Sequence, residues 1–251
     1  MRIFAHRGSS LIWPENTLHA FRLAHEAGAT GFETDLRLSR DGQIVLCHDT
    51  DLERLGRQDT RVRGLTADEL TRITVTSPDG SLRDVIITLR MLLEAHPEKD
   101  YIFDCKVSDP ALFETLKTLL EAARLEGSTW FLAWSREAER IIARIFPSSP
   151  VFPSYRRSTL WGLMSVAGLG RLAEPPSRIL SLPPRHRGLN VFGRSQVASI
   201  RRRGKLFMGY LVNTRRDLQR CIDCGVDIVL TDRPDIVGPA RCPDRAGDIQ
   251  S

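Results

Sequence analysis

At 251 residues, with 41% hydrophobic and 27% charged residues, the chain can bury a full core and is too apolar to be disordered throughout. Its net charge of +5 favours anionic partners, but the arginine clusters at 156–157, 201–203 and 215–216 come without interleaved aromatics or a reader motif, so no nucleic-acid partner is expected. The cysteine count of 5 is odd and argues against a disulfide framework, and no apolar run reaches the roughly 18 residues that span a bilayer.

In chain order, short apolar runs at 3–6, 31–36, 101–105, 129–133, 150–153, 178–182, 206–211 and 227–230 read as strands. Because the first begins at Arg2 or Ile3, no secretory signal precedes it, and a cytoplasmic protein is expected, with peripheral membrane contact left open. Helical segments separate most of the runs. Asn16 caps a helix over 17–27 that Gly28 ends, and Asp109-Pro110 opens another that stops at Gly127. Ser135 opens a third that stops before Pro147, and Ser195 a fourth that stops at Gly204. Thr66 and Glu69 have capping-box spacing at the start of a short helix. The segment 214–224 reads as a helix stopped by Gly225; its Cys221 and Cys224 have no second pair to complete a metal site and read as packing residues.

This alternation predicts an α/β fold with a parallel sheet, occupying 1–238 as a single domain, followed by a loose tail over 239–251. One segment departs from it. The runs 31–38 and 43–48 are joined by the turn Ser39-Arg40-Asp41-Gly42, which predicts a hairpin within an insertion over about 39–88.

Polar residues fall at the ends of the predicted strands. His6 closes the first, with Arg7 and Gly8 behind it; Glu33 and Asp35 share a face of the second, and Asp104 and Lys106 repeat that spacing on the third. Pairing Arg40 with Gln43 sets His48 opposite Asp35, and a turn two residues longer sets it opposite Glu33. Three carboxylates at one point repel unless a cation joins them, and an all-oxygen set suits Mg²⁺ or Ca²⁺, with Mn²⁺ also accommodated. Such a cation beside two histidines, an arginine and a lysine makes a phosphodiester site.

His6-Arg7-Gly8, Pro14-Glu15-Asn16-Thr17, Glu33-Thr34-Asp35-Leu36, Asp41-Gly42 and His48-Asp49 resemble the signature run of glycerophosphodiester phosphodiesterases of the bacterial cytoplasmic type. The resemblance continues at Leu52-Glu53-Arg54, Asp104-Cys105-Lys106, Val212-Asn213 and from Gly225 to Pro234, and it is weak only between about 110 and 200. It implies a TIM (β/α)8 barrel with a small hairpin-containing insertion after strand two. It also implies roles: His6 and His48 as the acid/base pair, Glu33, Asp35 and Asp104 as ligands of one divalent cation, and Arg7 and Lys106 as phosphate-binding residues. The implied reaction yields an alcohol and sn-glycerol 3-phosphate from a small-molecule glycerophosphodiester. Aspartate at 104 stands where glutamate is usual, shortening the reach by about 1.5 Å, and Tyr210 stands where tryptophan is frequent.

Two alternatives accompany this reading. Leu11-Ile12-Trp13 forms either an apolar lip, which favours a lysophospholipase D acting on lysophospholipids, or packing under a neighbouring loop. A catalytically silent phosphate-binding protein is the alternative of another class; retention of His6, His48, Glu33 and Asp35 argues against it.

Overall fold

The computed structural model describes residues 1–53, 57–153, 177–186 and 188–237, together with 157, 160–162 and 164. Eight parallel strands follow the predicted runs: β1 Arg2–His6, β2 Gly31–Leu38, β3 Asp100–Cys105, β4 Thr129–Ala133, β5 Val151–Phe152, β6 Ile179–Leu182, β7 Leu206–Gly209 and β8 Ile228–Thr231. They join in the order β5-β4-β3-β2-β1-β8-β7-β6 and curl into a nearly closed barrel, the parallel sheet expected from the alternation and the TIM architecture implied by the resemblance. The tail expected over 239–251 lies outside the described residues. No helix among the described residues is long and apolar enough to cross a membrane.

Among the described residues, the helices with defined bounds are α1 Leu18–Glu26, α2 Ala67–Leu70, α3 Leu89–Ala95, α4 Pro110–Ala122, α5 Arg136–Ile145, α6 Arg194–Arg202 and α7 Arg215–Cys224. Side-chain caps start most of them: Thr17, the Thr66 capping box, Thr88, Asp109, Ser135 and Thr214, each contributing about 1 kcal/mol. Two predicted caps are corrected. Thr17, not Asn16, caps α1, because the Asn16 amide is committed to other partners. Gly193, not Ser195, stands at the start of α6. Gly225 adopts the left-handed conformation (φ 73°) that ends α7, and Cys221 and Cys224 are buried in the core beneath that helix as free thiols.

The barrel interior is built by the two-residue period of its strands. Phe4, Ile102, Trp130, Phe152, Ile179, Met208, Ile228 and Leu230 pack into one apolar cluster. Strand β2 contributes Gly31 at this level; a Cβ there would lie 2.5 Å from the Phe4 ring and 2.7 Å from the Asp100 carbonyl oxygen, so only glycine fits. A second core, with Phe21, Phe32, Tyr101, Phe103 and Phe131, lies between the sheet and α1, α3, α4 and α5.

The predicted hairpin forms, with a different register. Leu36, Arg37 and Leu38 pair with Leu46, Val45 and Ile44, and Ser39 pairs with Gln43 around a three-residue loop in which Gly42 is left-handed (φ 75°). Continued, this register would set His48 opposite Thr34 rather than Asp35 or Glu33. The regular ladder instead ends at Leu46, with one more bond from the Cys47 amide to the Asp35 carbonyl at 3.2 Å. The rest of the insertion folds over its own small core of Val45, Leu52, Val62, Leu70, Ile73 and Ile86.

Candidate active site

Two residues beyond each inward apolar side chain, several strands present a polar or aromatic one at the carboxyl end of the barrel. The interior sequence steps from Phe4 to His6, from Ile102 to Asp104, from Leu132 to Trp134, from Met208 to Tyr210 and from Leu230 to Asp232, while β2 contributes both Glu33 and Asp35. Register carries the convergence: His6 pairs with Glu33, and Asp35 with Asp104. The predicted strand-end residues are thereby brought together.

His6 is held from both sides. Its Nδ1 lies 2.6 Å from Asp232 Oδ1, and its Nε2 lies 3.7 Å from Glu33 Oε2. Asp232 in turn accepts hydrogen bonds from Ser10 Oγ at 2.9 Å and Asn213 Nδ2 at 2.5 Å. Burial works against a charged imidazole, but the Glu33 carboxylate and the Asp232 bond prevail and raise the His6 pKa. Burial also opposes the Asp232 charge, yet the bonds to His6, Asn213 and Ser10 hold its carboxyl below the usual range. The following Arg7 and Gly8 have positive φ (56° and 81°), and a Cβ on Gly8 would meet the backbone carbonyl carbon of Ala20 at 2.6 Å. This tight turn swings Arg7 back over the strand ends.

Glu33, Asp35 and Asp104 offer ligand oxygens that all lie within 4.8 Å of one another. Asp35 is fully buried and surrounded: Arg7 Nε at 2.9 Å, Lys106 Nζ at 3.0 Å and the Asn16 amide at 2.9 Å. Burial opposes its charge, but Arg7 and Lys106 keep its pKa below the ordinary value. Asp104 meets Lys106 Nζ at 2.6 Å and accepts a bond from Trp134 Nε1 at 2.6 Å; burial still raises its pKa. Glu33 differs from both. It is 1% exposed, neither oxygen has a hydrogen-bond partner among the described residues, and burial pushes its pKa up to about 8. A buried carboxylate without donors costs several kcal/mol to ionise (order of magnitude), and a hard divalent cation removes that cost. The donor set fits such an ion: all oxygen, anionic, and only partly neutralised by Lys106 and Arg7.

His48 reaches the site by another route. The Arg37 guanidinium donates to the His48 carbonyl at 2.6 Å, and His48 Nδ1 lies 2.8 Å from Asp49 Oδ1. The imidazole lines a cleft of about 390 Å³ with Arg37, Asp49, Thr50, Asp51, Glu53 and Lys106, so Lys106 is shared between this cleft and the carboxylate cluster. Arg7 also pairs with Glu15 at 3.0 Å. A second opening of about 550 Å³, at the ends of β6 and β7, is lined by Pro183, Arg185, His186, Tyr210, Leu211 and Asp217.

A model of the glycerophosphoryl diester phosphodiesterase family matches residues 6–148, more than half of the chain. The chain belongs to that family. As a family member it is a phosphoric diester hydrolase. A glycerophosphodiester phosphodiesterase of Caldanaerobacter subterraneus is 26% identical over 245 residues, covering 93% of this chain and 94% of the relative. Among solved structures, the glycerophosphoryl diester phosphodiesterase domain of a Mycobacterium tuberculosis protein matches with a TM-score of 0.75 at 20% identity, covering 93% of this chain and 96% of that one. A phosphodiesterase of Oleispira antarctica, solved in complex with the product sn-glycerol-3-phosphate, matches with a TM-score of 0.70 at 21% identity, covering 93% and 94%.

The sequence assigns no site role to Asp232, Trp134, Asn16 or Asp49, although Asn16, Asp49 and Asp232 lie within the signature runs. Asp232 and Trp134 continue the inward two-residue period of β8 and β4, a signal present in the sequence. Asn16 carries no such mark, because its role comes from a left-handed backbone (φ 58°) that aims its amide at Asp35 and Thr34.

Proposed function

We propose that this family member hydrolyses a glycerophosphodiester to an alcohol and sn-glycerol 3-phosphate, with His6 and His48 as the proton-transfer pair. The observation that carries this reading is the buried, donor-free Glu33 carboxylate, set beside Asp35 and Asp104 with the His6 imidazole 3.7 Å away. Glu33, Asp35 and Asp104 would hold one divalent cation, Mg²⁺ or Ca²⁺, with Mn²⁺ also fitting the oxygen set. When bound, the ion supplies Lewis acidity toward a phosphoryl oxygen.

The protein's own groups account for the rest. Asp232 fixes the His6 proton on Nδ1, leaving Nε2 to accept a proton from the attacking oxygen. His48, partly exposed in the cleft and oriented by Asp49 and Arg37, delivers a proton to the leaving alkoxide. With the carboxylates engaged by a cation, Arg7 and Lys106 are left to hold the phosphate anion. The nucleophile is water or the neighbouring glycerol hydroxyl; only the second gives a cyclic phosphate intermediate.

Release of glycerol 3-phosphate from glycerophosphocholine and glycerophosphoethanolamine, with Mg²⁺, Ca²⁺ or Mn²⁺ and with EDTA, tests the proposal. Release abolished by EDTA supports it, and undiminished release in EDTA removes the metal role. A lysophospholipid substrate is the second reading, favoured by Leu11, Trp134 and Leu211, which are 51%, 54% and 49% exposed at the strand carboxyl ends. Turnover of lysophosphatidylcholine in preference to glycerophosphocholine would select it.

A further inference from the structure

At the opposite end of the barrel, three side chains from separate segments meet. His25 lies in the last turn of α1, His96 is the residue at which α3 ends, and Glu98 follows in the loop that leads into β3. Their ligand atoms all lie within 4.8 Å of one another; Glu98 Oε1 is 3.4 Å from His25 Nδ1 and 3.9 Å from His96 Nδ1. A tetrahedral ion with bonds of about 2.0–2.1 Å sets its ligands about 3.3–3.4 Å apart. One of these separations already has that value, and the other exceeds it by an amount that rotation of the exposed Glu98 side chain closes.

The cluster is partly pre-organised. His96 is 9% exposed, and its ring meets Phe32 edge-on at 5.2 Å and lies 5.4 Å from the His25 ring. Pro97, with its fixed φ, separates His96 from Glu98. Lys99 opposes a cation here, with its ammonium 3.8 Å from Glu98 Oε1. That ammonium is held to one side, donating to the Ala29 carbonyl at 2.8 Å and lying 5.8 Å from the Phe32 ring centroid.

We propose that His25, His96 and Glu98 form a second metal site, specific for a borderline-soft divalent ion of the zinc class, with one coordination position open to solvent. Two imidazoles and one carboxylate select such an ion over Mg²⁺ or Ca²⁺, which the all-oxygen cluster at the other end prefers. No catalytic group lies here, and the end of a barrel where strands begin serves stability. The bound ion ties the end of α1 to the α3–β3 connection and stabilises the folded chain by linkage.

Titration of the full chain with Co²⁺, Mg²⁺ kept in large excess, tests this by comparing wild type with His25→Ala and Glu98→Gln. Both positions are exposed, and both variants should turn over substrate as wild type does, so lost binding is not lost folding. The expected result is one equivalent of Co²⁺ with the intense visible bands of a tetrahedral ion, displaced by Zn²⁺ and absent from both variants. Zn²⁺ should also raise the Tm of wild type and not of the variants. Retention of that equivalent in either variant, or its absence from wild type, overturns the proposal and leaves a hydrogen-bonded cluster. Because the readout is the difference between wild type and variant, it holds whatever occupies the carboxylates at the other end.

Discussion

The Nδ1 atom of His6 and the Oδ1 atom of Asp232 lie 2.6 Å apart although 226 positions separate them in the chain, and that contact joins the first and last strands of the barrel at their carboxyl ends. It fixes which imidazole nitrogen carries the proton. Replacing Asp232 with Asn keeps the shape but permits the opposite tautomer, and should lower kcat by roughly 10²–10⁴-fold. The Asp232 charge also raises the His6 pKa. Its loss should therefore move the acidic limb of the kcat/KM profile to lower pH, and a profile with an unmoved limb would show that His6 is not the titrating base.

Trp134 does for Asp104 what Asp232 does for His6. Its indole N–H fixes Oδ1 at 2.6 Å, and the Lys106 ammonium lies 4.9 Å from its ring centroid. Trp134→Phe keeps a ring for Lys106 and removes the donor. Cation affinity should fall by about 10–100-fold, measured calorimetrically on the resting enzyme. Adding Asp104→Glu should recover part of it, because the longer side chain can reach a ligand position without the tether.

If Glu33 holds the cation as proposed, its raised pKa would set the pH dependence of binding. With a value near 8 in the cation-free protein, the group is mostly protonated at neutrality and must release its proton to bind a metal. Affinity for Mg²⁺ should rise with pH up to about 8 and level off above it, with proton uptake by the buffer on each addition. Stability follows the opposite sign. Between the ordinary value of 4.5 and about 8 the unfolded chain holds fewer protons than the folded one, so the Tm measured in EDTA should fall as pH rises through that window. Saturating cation should abolish that fall.

Trp13 packs rather than projects. Its indole donates to Asp84 Oδ2 at 2.8 Å, and its ring lies 4.0 Å from that of His19, tying the first loop to the insertion. Trp13→Ala should lower the Tm and reduce turnover of soluble and lipid substrates alike. An effect confined to lysophosphatidylcholine would restore the apolar-lip reading for this residue.

The legible and illegible parts of the molecule divide along a physical line. Strand runs and the alternation of Glu33, Asp35 and Asp104 are local consequences of a two-residue period, and they could be read without tertiary knowledge. The hairpin register could not, because the left-handed Gly42 allows an extra residue in the turn, and one residue changes every pairing. Asn16 looked like a helix cap because asparagine favours that position; the cap passed to Thr17 once Asp35 and Thr34 claimed the amide. The Trp134–Asp104 contact spans 30 residues and depends on two strands lying side by side.

The apolar layer of Phe4, Ile102, Trp130, Phe152 and Ile228 lies beneath the carboxylates. Glu33 is therefore a room with one door. On the proposed function, an ion held there would enter and leave through the mouth that the diester would occupy, so arrival would have an order: ion first, substrate second. A docked substrate acts as a stopper, and a chelator added to the working enzyme should inactivate it more slowly the more nearly the substrate is saturating.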